Sequence, residues 1–242
     1  MNTNNNSQLE LYLNSIIGID DTFCFNCTQC GKCCIHREDI LLSPKDLFYI
    51  SKKLQLSPSQ VIAQYCENYI GSNSRFPIVR LKPRGTIRRC PMLKDNKCII
   101  HDAKPAVCAM FPIGRYISKD AKQPDWETTP EIQYVYIDPE CGDNAKTHTV
   151  REWLASFEIS SNDDFFISWT TAELDISSIL QQLEEKLPSY GMLLIWSTIF
   201  THLYLQYNTN EDFMTQFQNN LDQIMPFIQK LHQTIIAKII AK

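Results

Sequence analysis

The stretch Cys27-Thr28-Gln29-Cys30-Gly31-Lys32-Cys33-Cys34 decides how the rest of this chain is read. Two-residue gaps let successive thiolates converge on one ion as the backbone curls around it, and Gly31 permits the tight turn that such a knuckle needs. Zinc and iron–sulfur clusters both ask for this pattern, because thiolates hold both. Cys24 extends the run, so that Cys24, Cys27, Cys30 and Cys33 follow one another at three-residue steps.

Working outward, a second set appears as Cys90-Pro91-Met92-Leu93, then Cys98-Ile99-Ile100-His101, then Pro105, Cys108 and Phe111-Pro112, and finally Cys141-Gly142. One tetrahedral zinc or one cubane cluster takes four ligands. Cys27, Cys30, Cys33 and Cys34 together with Cys90, Cys98, Cys108 and Cys141 exceed that number. As metal ligands they imply two sites or one multinuclear site. The competing reading is that the cysteines are small buried hydrophobes. That reading is preferred for Cys66, which falls inside an expected helix with no neighbouring ligand. His101, beside Cys98, suits a hydrogen bond better than a metal, and His36, His148, His202 and His232 carry no ligand spacing.

Number and compactness favour an iron–sulfur cluster over zinc. The cysteines between Cys24 and Cys34 are similar to the C-x2-C-x2-C run of bacterial ferredoxins, where a distant cysteine completes the cluster. Structural zinc sites more often pair two separated CxxC knuckles. Here Cys90, Cys98 and Cys108 are wider apart. The basic run Arg75, Arg80, Lys82, Arg84, Arg88, Arg89, Lys94 and Lys97, against the single acid Asp95, has three readings. It offsets the negative charge of a thiolate centre, it is a solvated face, or it binds an acidic partner or anionic cofactor.

Composition narrows the function classes. The net charge of -4 argues against a general nucleic-acid binder. The seven glycines stand at 18, 31, 71, 85, 114, 142 and 191, and no two are separated by a single residue. That leaves neither a G-x-G-x-x-G loop nor a Walker A loop. Met1 to Asn6 is polar and uncharged, without the form of a signal peptide. The most apolar stretch, Met192 to Phe200, is shorter than the about 20 residues a membrane span takes. A cytoplasmic location follows as the expectation, and in that reducing compartment ten cysteines are not read as disulfides.

No cysteine follows Cys141, so composition divides the chain near Val150. The expected organisation is a leading helix in 1–20, a cysteine-cluster metal-binding domain in 21–150, and a helical C-terminal region in 151–242. Leu9, Leu13, Ile16 and Ile17 at helical spacing, stopped by Gly18, suggest the leading helix. Ser43-Pro44 opens a helix to about Leu54, and Ser57-Pro58 opens one to about Ile70. Phe76 to Lys82 and Ile132 to Ile137 read as strands, and Pro83-Arg84-Gly85 reads as a turn. Further helices are expected at Thr149–Phe157, Asp164–Leu187 and Tyr190–Tyr207. The last helix carries the stripe Phe213, Phe217, Leu221, Ile224, Ile228, Leu231, Ile235 and Ile239, with Pro226 expected to bend or break it. The fold class is α+β, mainly helical: a metal-held, cysteine-rich domain with short strands plus a helical tail.

In order, these motifs resemble the YkgJ-type cysteine-cluster proteins, described as chelators of zinc or iron. The likeness runs through CxxCxxCC at 27–34, CPML at 90–93, CIIH at 98–101, P-x-x-C-x-x-F-P at 105–112, Cys141-Gly142 and VREWL at 150–154, and so covers about residues 22–155. Relatives include flagellin lysine N-methylases, so the resemblance implies either a metal domain of undefined role or a protein-lysine methylase using S-adenosylmethionine. Against the second, the chain lacks a glycine-rich adenosyl loop. A radical C-x3-C-x2-C motif also fails, because Arg37 stands where its third cysteine would be. A third reading is an interaction module with a purely structural metal. In each case the expected partner or substrate is a protein.

Overall fold

Serine followed by proline starts helices in this chain for a local reason. The structure, a computed structural model, describes residues 15–118 and 131–240. In chain order it places strands β1 (Ile16–Ile17) and β2 (Thr22–Asn26), then helices α1 (Pro44–Leu54) and α2 (Pro58–Tyr65). Strands β3 (Cys66–Ile70), β4 (Pro77–Leu81), β5 (Leu93–Lys94) and β6 (Lys97–Cys98) follow, then helix α3 (Ala106–Met110). Next come β7 (Ile113–Ser118), β8 (Glu131–Tyr136) and β9 (Asp143–Thr149). The chain finishes with α4 (Val150–Ala155), α5 (Asp164–Glu184), α6 (Ser189–Phe200), a π-helical turn at Thr201–Leu205, and α7 (Phe213–Ile240). This is an α+β fold, mainly helical, with short antiparallel strands.

Both Ser-Pro helices carry a capping box. Ser43 Oγ accepts from Asp46 N (3.2 Å), and Asp46 returns a bond to Ser43 N (2.8 Å). Ser57 and Gln60 do the same at 3.3 and 2.8 Å, and Thr149 and Glu152 at 3.1 and 3.0 Å. Each box satisfies two N–H groups that the first helical turn leaves open.

Packing divides the chain into two compact units, each assembled from two segments: Met1–Cys33 with Ala106–Ile167, and Cys34–Pro105 with Ser168–Lys242. The composition boundary near Val150 therefore marks where cysteines stop, whereas packing divides the chain elsewhere. In the first unit β8 lies between β1 and β7, and β2 pairs with β9, all antiparallel. Its core is Phe23, Phe25, Met110, Ile113, Tyr134, Val150, Trp153 and Leu154. Trp153 sits at the middle, edge-on to Phe23 and Phe25 at 5.9 and 5.7 Å, while its Nε1 donates to Met110 O at 2.8 Å. In the second unit β3 pairs with β4 and β5 with β6. There Leu47, Phe48, Phe76, Met92, Ile100, Leu180, Ile199 and Phe217 are buried together with much of α5, α6 and α7.

Three expectations change. Of the leading helix, residues 9–14 lie outside the described residues, and Ile16–Ile17 form a strand paired with Val135 and Tyr134. The helix expected to reach Ile70 ends at Tyr65, because Cys66 to Ile70 pairs residue for residue with Leu81 to Pro77. Cross-strand pairing there overrides the helical pattern. Pro226 leaves α7 unbroken. It removes one helical hydrogen bond, but burial of Phe213, Phe217, Leu221, Ile224 and Ile228, at about 1.5–3 kcal/mol each, outweighs that loss.

One ion pair in the first unit is buried: Arg115 Nη1 meets Asp163 Oδ2 at 2.9 Å, with side chains 6% and 10% exposed. Asp163 also accepts from Phe166 N at 3.2 Å, and the Arg115 guanidinium lies 3.9 Å over the Phe166 ring. Asp163→Ala strands the buried guanidinium and should destabilise this unit by about 3–5 kcal/mol in chemical denaturation. Arg151→Ala opens the exposed pair with Asp20 and should cost about 0–1 kcal/mol.

Candidate metal centre

β2 runs directly into the cysteine knuckle, and β9 begins one residue beyond Cys141, after Gly142. Their register sets Thr22 opposite Thr149, Phe23 opposite His148, Cys24 opposite Thr147 and Asn26 opposite Asp143, with a bulge between Cys24 and Asn26. Antiparallel pairing therefore puts the end of β2 beside the start of β9 and delivers Cys141 to the knuckle. Phe23 and Phe25 point into the core, while Cys24 lies on the other face with its Sγ 3.5 Å from Thr147 Oγ1. His148 Nε2 meets Phe25 O at 3.0 Å and its ring lies 4.9 Å from Trp153, which makes it a strut of the pairing.

The knuckle curls through two left-handed residues, Gln29 (φ 54) and Gly31 (φ 72). Cys30 is exposed, and the Lys32 backbone N–H beside it holds its thiol below the ordinary cysteine range. Hydrogen bonds from Gly142 and Thr28 and the charge of Lys32 add to this, while burial opposes it. Cys141 is pushed the other way, to about 11, by burial first and then by the charges of Cys33, Cys30 and Cys27 and a hydrogen bond with Cys30. Four thiols thus share one electrostatic neighbourhood. Gly142 has φ +75, and a Cβ there would come within 2.7 Å of Asn26 O and of the Phe25 ring. Its lack of a side chain lets the Cys141-Gly142 segment approach the end of β2, next to the knuckle.

The remaining cysteines divide between the units. Cys108 lies on α3 in the first, half-buried. Cys34, Cys90 and Cys98 lie in the second, all half-buried, and Cys90 N donates to Cys34 O at 2.8 Å. Cys66 starts β3 and is buried, which pushes its thiol up to about 12. His101 is exposed at the start of a short 3-10 turn (His101–Ala103), its pKa lowered by partial burial and by Lys104, against Asp102.

Much of the basic run is engaged by protein acceptors within its own unit. Arg75 forks onto Glu184, Arg80 bonds Glu67 and the Glu38 carbonyl, and Arg88 pairs with Glu38. Arg84 reaches the Gln64 carbonyl, and Arg89 reaches Asn96 Oδ1. Sequence reading missed the parts played by Thr28, Lys32, Asn26, Thr147 and Gly142. A glycine directly after an isolated cysteine was the one signal available.

Among the described residues, no group of three or more His, Cys, Asp or Glu side chains stands in an arrangement that would hold a metal ion as it is. The residues nonetheless fit a thiolate-held metal: the gathered donors are sulfurs, backbone N–H groups serve Cys30, and the Gly142 gap is filled by any Cβ. A family model described as "CxxCxxCC: Putative zinc- or iron-chelating domain" matches residues 26–141. No curated protein and no solved structure matches the chain. Among the described residues, no helix is long and apolar enough to cross a membrane.

Gly142→Ala should push β9 off the knuckle, lowering bound metal per chain by more than half and depressing the thermal midpoint. Gly85→Ala is the control. Its φ is +69 but its Cβ would meet nothing within 4 Å, so it should cost about 1–2 kcal/mol of backbone strain and keep its metal. Elemental analysis and thermal melts of both variants check this.

Proposed function

We propose that the protein carries a metal centre on Cys27, Cys30, Cys33 and Cys141, an iron–sulfur cluster in preference to zinc. The observation that carries this reading is the shared neighbourhood of Cys141 with the three knuckle thiols, created by the β2–β9 register. Three cysteines at two-residue gaps plus one distant cysteine is the ligand pattern of ferredoxin-type clusters. When bound, such a cluster takes up and returns single electrons. The chain's part is to hold the sulfurs and direct N–H groups at them. Hydrogen bonds from Lys32 and Gly142 to Cys30 are the kind of contact that tunes a cluster's potential.

Cys108, and Cys34, Cys90 and Cys98 of the second unit, complete the eight thiols we assign to metal. Thiolate ligands persist in a reducing compartment, and we assign the protein to the cytoplasm, with a protein as its partner or substrate. Metal closes loops between distant ligands, so it stabilises residues 22–145 as a folding element.

The test is anaerobic purification followed by iron, acid-labile sulfide and zinc analysis of the full chain and three variants. Cys27→Ala and Cys30→Ala should each lose most of the metal, and Cys66→Ala none. Near-equal iron and sulfide in a brown protein supports the cluster. A colourless protein with stoichiometric zinc after iron-replete expression refutes it, and equal metal in all variants refutes the site. Chelation should lower the thermal midpoint of residues 22–145 first. An unchanged midpoint in the metal-free protein would contradict that role.

A further inference from the structure

We infer that the hairpin of β5 and β6 is a docking surface for an acidic segment of a protein partner, held through Lys94, Lys97 and Arg89. This rests on the protein-partner reading above and names its surface, and it does not rest on the metal centre.

Lys94 and Lys97 are cross-strand partners in a two-stranded ladder. Residues so paired share a face, with Cβ atoms about 4.5–5.5 Å apart, and like charges there repel. The two-residue turn between them, Asp95 (φ 48) and Asn96 (φ 59), fixes that register, since left-handed central residues suit a tight hairpin. The adjoining pair, Leu93 and Cys98, is half-buried while both lysines are exposed. The ladder therefore turns its paired ammonium groups to solvent. Among the described residues neither lysine has an ion-pair partner, and Asp95, the acid between them, pairs with neither.

Arg89 adds a third cation. Its Nη2 donates to Asn96 Oδ1 at 3.1 Å, which ties the guanidinium to the hairpin tip. Its Nε is buried without an acceptor among the described residues, and no carboxylate there pairs with it. Other arginines of the basic run differ: Arg75 has Glu184, Arg80 has Glu67 and Arg88 has Glu38. The unit thus neutralises those three and leaves the charges at the hairpin tip without an anion. A like-charge pair in register lowers stability, and charge-assisted bonds from an incoming carboxylate offset that cost.

The surroundings select a peptide as the source of that carboxylate. Ile99, 38% exposed, directly follows Cys98, and Ile87, 46% exposed, lies in the turn that the Arg84–Arg89 bridge closes. Cations bordered by exposed apolar side chains suit a segment that brings acidic and apolar residues together. Nucleic acid fits less well. Between Lys82 and His101 there is no aromatic residue on which a base could stack, and the chain as a whole carries a net charge of -4. A local basic tip on an acidic chain also steers an acidic partner to this place.

Fluorescence anisotropy of the anaerobically purified full chain tests this with a labelled peptide of glutamate and aspartate around a central leucine. The same peptide with glutamine and asparagine in their place, a single-stranded DNA of equal length and inorganic phosphate are the comparisons. The acidic peptide should bind, its neutral counterpart should not, and affinity should fall as salt rises. Lys94→Glu/Lys97→Glu should weaken binding about tenfold, whereas Lys52→Glu/Lys230→Glu, an equal charge change at exposed helix positions, should alter it less than about twofold. Lys97→Glu alone sets an opposite charge across from Lys94, so it should lose affinity while its thermal midpoint holds or rises. The proposal is overturned if the acidic peptide does not bind, if both double variants lose affinity equally, or if DNA or phosphate binds as tightly. Metal per chain is measured on the same samples. Bound metal without peptide binding overturns the docking surface alone, and peptide binding by a wild-type chain without metal overturns the metal centre and leaves the docking surface standing.

Discussion

The antiparallel pairing of β2 with β9 is the constraint on which the proposed centre of Cys27, Cys30, Cys33 and Cys141 depends. A knuckle of three cysteines is local and could form on a short peptide, but it lacks its fourth ligand. The register that sets Asn26 against Asp143 carries Cys141 to the knuckle without any contact between the cysteines having to drive it. What holds the register is apolar: Phe23 and Phe25 on β2 and Val150, Trp153 and Leu154 on α4 bury against one another. The VREWL segment at 150–154 supplies three of those core residues. Its Trp153 is the ring that both phenylalanines meet edge-on, and its Glu152 closes the helix cap.

The doubled cysteine has a matching explanation. Packing separates the chain between Cys33 and Cys34, so neighbours in sequence belong to different compact units. The CPML and CIIH segments, whose apolar residues look like ornament around cysteines, supply Met92 and Ile100 to the second core. The basic run lies in the same unit, and most of its arginines are taken by carboxylates and carbonyls there. Charge that sequence reading could assign equally to offsetting a metal centre or to a solvated face is largely engaged by acceptors within the unit.

The parts legible in sequence were those decided within a few residues. Ser43-Pro44 and Ser57-Pro58 announced their helices because the cap is a local hydrogen-bond exchange, and Gly31 announced the knuckle's turn. The CxxCxxCC run at 27–34, within the residues that the family model matches, was legible for the same reason. What escaped depends on partners far along the chain. Nothing between Cys66 and Ile70 reveals that Leu81 to Pro77 will pair with it. Nor does Gly142 disclose that Asn26 O will lie where its Cβ would be. Pro226 misled in the opposite sense, because a local rule gave way to the apolar stripe that buries on both sides of it.

The account stands most directly on where metal lies relative to Cys141. Anomalous diffraction from crystals of the anaerobically purified full chain, recorded at the iron and zinc edges, locates that metal without reference to activity. The account predicts anomalous density bonded to the sulfurs of Cys27, Cys30, Cys33 and Cys141, at about 2.3 Å for each metal–sulfur bond. Density held by the knuckle with the Cys141 sulfur turned away, or metal found only elsewhere in the chain, would contradict it.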